Sequence, residues 1–171
     1  MGDESGKFYS TGRERLKLWA SQIGWMHSVP QRARKEDKRN RFEQYGEGHP
    51  YTCTPEIRGL EYLASAVQEL GLVGQGGMSI SPTSWQEIES YIRLTGSWLS
   101  SWDAQMLMEM SRAYVNWRNK GSEQGDIADD VPYIERNEET LAAMQAHLID
   151  SRDRSAELTA QAGALIGQLV G

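Results

Sequence analysis

Between Ser81 and Asn119 the apolar residues recur with the spacing of a helix rather than the alternation of a strand. Trp85, Ile88, Tyr91 and Ile92 fall at i, i+3, i+6 and i+7, one face of a 3.6-residue period, while Glu87, Glu89 and Arg93 point elsewhere. Thr83 or Ser84 can cap this helix, with Gln86 or Glu87 completing a capping box, so it should start near Trp85. Gly96 can take the left-handed conformation that ends a helix, placing the stop near Thr95. Ser100 or Ser101 then caps a second helix with Asp103 in its first turn, where a carboxylate favours the positive end of the dipole. Trp102, Met106, Met110, Tyr114 and Trp117 follow at spacings of four, four, four and three, and Leu107 and Val115 widen that stripe. Arg118, Lys120 and Gly121 supply a basic last turn and a breaker. The segment holds four of the six tryptophans and predicts a two-helix unit around which the chain is organised.

The flanks carry the same period. After a Gly-, Ser- and charge-rich leader expected to fray, Thr11 can cap a helix whose Leu16, Trp19 or Ala20, and Ile23 share a face, with Pro30 marking its end. A loop over 46–55 leads to Thr54 and Pro55, which predict a further helix start. Leu60, Leu63 or Ala64, Val67 and Leu70 form its face, and Gly71 closes it. From Tyr133 to Val170 the pattern is helical throughout, as one long helix or as two helices interrupted at 150–154. Nearly free of aromatics, this tail resembles a docking helix more than a core element. The expected fold class is all-α: a small helical domain with a central two-helix unit and a helical C-terminal extension. Its expected organisation is 1–55, an N-terminal helix with a basic segment and loop; 56–120, the central helical domain; and 121–171, an acidic loop with the helical tail.

Composition narrows the class. With 171 residues the chain can bury a core within one domain, and 39% hydrophobic with 25% charged residues is ordinary for a soluble protein. Cys53 is the single cysteine, which excludes an internal disulfide framework and fits a reducing compartment. No apolar run approaches the roughly 20 residues that span a bilayer, and MGDESGKFYS lacks the pattern of a signal peptide. No membrane association and a cytoplasmic location are therefore expected. The net charge of -6 is uneven, +3 over residues 1–60 and -9 over the rest. Six basic residues, Arg32, Arg34, Lys35, Lys38, Arg39 and Arg41, crowd positions 31–41 beside only Glu36 and Asp37. Such a run reads either as a solvated surface or as a contact for phosphate.

Catalytic and metal-binding patterns are not found. His27, His49 and His147 are dispersed over different predicted elements and form no paired ligand motif. His49 and Cys53 lie four residues apart in a Pro-containing loop with no third group to orient the histidine, so the cysteine is read as structural. The glycines of 73–82 lack the Lys-Ser/Thr of a phosphate-binding loop. Asp126, Asp129 and Asp130 lack the twelve-residue calcium pattern. The expectation is no enzyme, no cofactor and no metal. A DNA-binding helix-turn-helix fits poorly, because the second helix starts with Trp102 and Asp103 where a recognition helix presents polar and basic groups. Its aromatic stripe reads as core packing or as a peptide-binding groove, in which Met106, Met108 and Met110 would form an adaptable lining.

The run GLEYLASAVQELG, a Gly-rich connector with GGM, and SWQEIESYIRLTGSWLSSWDAQMLMEMSRAYVNW together resemble the tail assembly chaperones of long-tailed bacteriophages. The pattern is Trp-x-Glu-Ile-x-x-(Tyr/Trp)-x-x-Leu-Thr-Gly, a Trp at the next helix start and an Arg-Ala-Tyr-like ending. Trp85, Glu87, Ile88, Tyr91, Leu94, Thr95, Gly96, Trp102 and Tyr114 match it, and the likeness covers residues 59–118, about a third of the chain. The resemblance implies a non-enzymatic, largely helical factor of the host cell cytoplasm. Such a factor binds and solubilises the tape measure protein, helps to recruit tail-tube protein, and leaves before the virion is complete. Many family members also exist in a frameshift-extended form. A tape measure helix would lay its apolar face on Trp85, Trp98, Trp102, Met106 and Met110, each large anchor contributing on the order of 1 to 3 kcal/mol. Leu158, Leu165 and Leu169 offer a second surface or a seam for a homo-oligomer. The alternative is a DNA-packaging, head-completion or structural connector protein whose basic segment touches nucleic acid.

Overall fold

The computed structural model describes residues 3–31, 38–74, 80–124, 130–135 and 137–170; residues 3–10, 148, 151, 155, 158 and 162–170 are described by their backbone alone. Among the described residues there are six helices and no strand, an all-α fold: α1 (Asp3–Met26), α2 (Arg41–Tyr45), α3 (Glu61–Leu70), α4 (Trp85–Thr95), α5 (Ser101–Glu123) and α6 (Glu138–Val170).

The framework is the pair α1 and α5, which make the most extensive helix–helix contact and run in the same direction, Arg13 beside Glu109, Gly24 beside Tyr114 and Ser28 beside Gly121. Parallel helices bring like ends of their dipoles together, so packing must hold them. Leu16, Trp19 and Ala20 of α1 join Met106, Leu107 and Met110 of α5 in one buried core. The two backbones touch where side chains are missing. A Cβ on Gly24 would lie 2.3 Å from the Tyr114 carbonyl oxygen, and one on Gly121 would lie 2.4 Å from Ser28 Oγ. Gly121, expected to break α5, is therefore a contact within it, and the helix continues to Glu123.

Other boundaries also differ from expectation. α1 starts at Asp3, well before Thr11, and ends at Met26, four residues short of Pro30. The helix expected from Pro55 starts at Glu61, because Gly59 takes a φ of 79° and the Leu60 N–H donates to the Ile57 carbonyl (2.8 Å), a tight turn that buries both apolar side chains. Within the basic segment Asn40 and Glu43 form a capping box that starts the five-residue α2. α1 shares one buried core with α3 and α5.

The tail is one helix. Asn137 and Thr140 bond reciprocally at its start (3.1 and 2.9 Å), and it is fastened by Glu135 N–H to the Pro50 carbonyl (3.1 Å) and Tyr133 N–H to Gln22 Oε1 (3.1 Å). Beyond that attachment, among the described residues, α6 shares no broad interface with the other helices.

Gly24→Ala should lower stability by about 1–3 kcal/mol in urea unfolding, because the added methyl meets a backbone carbonyl. Alanine ordinarily stabilises a helix interior relative to glycine by about 1 kcal/mol, so the sign of the change tests the close approach.

Candidate functional site

α4 and the start of α5 carry exposed apolar side chains, and local hydrogen bonds fix both helix starts. The Ser84 N–H donates to Glu87 Oε2 (2.7 Å) and the Glu87 N–H to Ser84 Oγ (3.3 Å), and Ser100 and Asp103 repeat the arrangement at 2.7 and 3.2 Å. Tyr62 of α3 donates its hydroxyl to Asp103 Oδ1 (2.6 Å), and Tyr91 donates to Glu69 Oε2 (2.8 Å), tying the start of α5 and the middle of α4 to α3. Gly96 adopts the left-handed conformation, φ 65°, and turns the chain out between the two helices. In that turn Trp98 is fully exposed and Leu94, just before it, is 79% exposed, while Trp85, at the opposite end of α4, is half exposed. Large apolar side chains in water mark an interaction surface. Beside Trp85 lies an apolar groove of about 290 Å³, lined by Trp85, Ile88, Glu89, Ile92, Arg93 and Ala104.

The five residues expected to hold a partner therefore divide. Trp85 and Trp98 are on the surface, Trp102 is half-buried against the core, and Met106 and Met110 are fully buried. The two methionines are core rather than groove, because α1 covers that side of α5. The side chains of Leu158, Leu165 and Leu169 lie outside the described residues. Glu89, Arg93 and Ala104, the polar and far walls of the groove, were not singled out from the sequence.

The basic segment gives a different result. Arg32, Arg34 and Lys35 lie outside the described residues, and Lys38 and Arg39 are exposed. Arg41 is fully buried, its Cζ 5.4 Å from the Trp25 ring centroid and its Nη2 donating to the Gly121 carbonyl (3.0 Å). Burial removes Arg41 from any phosphate-contacting surface. A second cleft, about 490 Å³ between α1 and α5, is charged, but two of its walls, Arg13 and Glu109, neutralise each other in a two-pronged ion pair.

No family model, curated protein or solved structure matches the chain. Among the described residues no three His, Cys, Asp or Glu side chains are placed to hold a metal, and no helix is long and apolar enough to cross a membrane. Asp126 and Asp129 lie outside the described residues, and Asp130 pairs with Lys120.

The histidines are less dispersed than their sequence positions imply. His49 and His147 come within 5.2 Å, ring to ring, with Tyr45 at 4.8 and 5.0 Å from them. The Cys53 thiol bonds the His49 carbonyl (3.5 Å) rather than the ring, and burial raises its pKa. His49 Nδ1 accepts from the Tyr51 N–H (3.2 Å), which requires a neutral ring. Burial first, then the charge of His147, pushes the His49 pKa down to about 4. Burial likewise lowers His147, assisted by Arg154 and opposed by Asp150, and lowers His27 beside Arg118.

Each folded-state pKa lies below the value of about 6.5 for an unfolded histidine, so the unfolded chain binds more protons across that interval. Stability should fall as pH drops from about 6.5 towards about 4. His49→Gln should flatten part of that slope in urea midpoints measured across the window, leaving the shares of His27 and His147.

Proposed function

We propose that this protein is a phage tail assembly chaperone that binds and solubilises the tape measure protein in the host cytoplasm and helps to recruit tail-tube protein. The observation that carries the reading is the α4–α5 segment, where Trp85 lines an apolar groove and Trp98, in the turn between the helices, stands fully in water. Two capping boxes hold this face rigid before any partner arrives, so little ordering entropy is lost on binding. An amphipathic helix is the natural occupant, with apolar residues at i, i+3, i+4 and i+7 set against Trp85, Ile92 and Trp98. The residues implied by the family resemblance include four exposed ones in this segment, Trp85, Leu94, Thr95 and Gly96. The role is one of shielding and delivery and calls for no catalytic group.

Co-expression with the tape measure protein of the same genome, followed by affinity capture and size-exclusion chromatography at low and high salt, tests this. The expected result is a soluble complex that persists at high salt, because apolar burial is not screened as phosphate contacts are. Trp98→Ala should weaken it about tenfold, or about 1.4 kcal/mol, with the circular dichroism and melting temperature of the free protein unchanged. Met110→Ala should instead lose about 2–5 kcal/mol of stability. Tape measure protein that stays insoluble, or elution of this chain with nucleic acid that salt disrupts, would overturn the reading.

A further inference from the structure

We infer that α4 pairs with α4 of a second copy of this chain, antiparallel across a two-fold axis level with Tyr91, with Glu89 of each copy facing Arg93 of the other. The inference starts from two charges that have no ion pair or hydrogen bond among the described residues. Glu89 and Arg93 are both exposed and both line the groove beside Trp85, Ile88 and Ile92. An acid four residues before a base is the order that pairs within one helix, and Asp150 and Arg154 of α6 do pair that way. Glu89 and Arg93 form no ion pair among the described residues. Both are exposed where they line the groove, available to charges from outside.

Symmetry then selects the occupant. An isologous contact brings residue i to residue j and j to i, and positions 89 and 93 are equidistant from 91. Antiparallel α4 helices therefore set each carboxylate opposite a guanidinium twice over. The same register brings Trp85 of one copy level with the turn at Gly96 of the other, where nothing lies within 4 Å of the position a Cβ would take. The indole has room there, and the exposed Trp98 comes beside the opposite copy's helix start. A foreign helix would have to supply an acid, a base and two apolar ends at matching positions. A second copy supplies all of them by construction.

Net charge points the same way. A chain of net charge -6 repels its copy across most of its surface, whereas on this face Glu89 and Arg93 cancel. α4 has 11 residues, so the pairing buries on the order of 1,000 Å², the low end for a specific interface. A concentration-dependent, micromolar dimer follows. The pairing stands on this chain alone and does not rest on the tape measure reading, but it covers the face that reading uses, so partner and second copy compete.

Sedimentation velocity of the full chain from about 1 to 100 µM, a range chosen for a weak interface, tests the pairing by charge exchange. The wild-type chain should pass from monomer to dimer. Glu89→Arg alone and Arg93→Glu alone each place like charges opposite one another and should raise the dissociation constant about tenfold or more. The double variant carrying both exchanges restores opposite charges and should return within about threefold of wild type, a non-additivity that independent surface effects do not produce. Both positions are exposed, and circular dichroism checks that each variant is folded. A monomeric wild type, single variants that dimerise as well as wild type, or a double variant as weak as the singles would each overturn the pairing. A monomeric wild type that still captures the tape measure protein sinks only the dimer. A charge-dependent dimer that captures nothing sinks only the proposed function.

Discussion

The closeness of α1 and α5 is the constraint on which the remaining structure depends. Because Gly24 and Gly121 present no side chain, α1 lies against the Tyr114 backbone of α5, and the Ser28 side chain just past α1 seats on Gly121. Parallel neighbours need a long crossover, and α2, α3 and α4 are that crossover. Their placement follows from it: α3 lies on α5 through Leu63 and Val67, and α4 is held to α3 and α5 through Ile88. The face bearing Trp85 and Trp98 is thus the outer layer of a stack whose innermost contact is made by two glycines.

A second consequence is the use of polar groups where the crossover meets the framework. Arg41 lies in the seam between α2 and the end of α5, over Trp25, with its positive charge set on a carbonyl near the negative end of α5. Gln22 works similarly from α1, donating to the Tyr51 carbonyl (2.5 Å) and accepting from Tyr133, so that one amide joins the loop after α2 to the segment leading into α6. Buried polar groups satisfied in this way fix register, because an alternative packing would leave them unpaired at a cost of about 1–3 kcal/mol each.

What was legible in the sequence is what is decided within a few residues. The starts of α4 and α5 and the stop at Gly96 depend on caps and on one left-handed residue, and they fall where the pattern placed them. Periodicity also identified the faces of α1, α3 and α5. It did not give depth: Trp85 and Met106 occupy equivalent stripes, yet one is half exposed and the other fully buried, because α1 packs broadly on α5 and, among the described residues, not on α4. Glycine is ambiguous for a related reason. A missing Cβ permits both a helix end, as at Gly96, and a close helix contact, as at Gly121, and only the opposing element decides between them. Arg41 looked like its basic neighbours because Trp25 and Gly121, the groups that bury it, lie 16 and 80 positions away.

The connector between α3 and α4 is closed at its base. Gly74 N–H donates to the Ser81 carbonyl (2.9 Å), Thr83 Oγ1 to the Gly71 carbonyl (3.1 Å), and Ser111 of α5 donates to the Leu72 carbonyl (2.9 Å) while accepting from the Thr83 N–H (2.7 Å). The hydroxyl of Ser111 thus holds the chain just after α3 and just before α4 at once. One small side chain of α5 sets how far apart α3 and α4 stand, and its loss would leave a carbonyl and an N–H without that partner together.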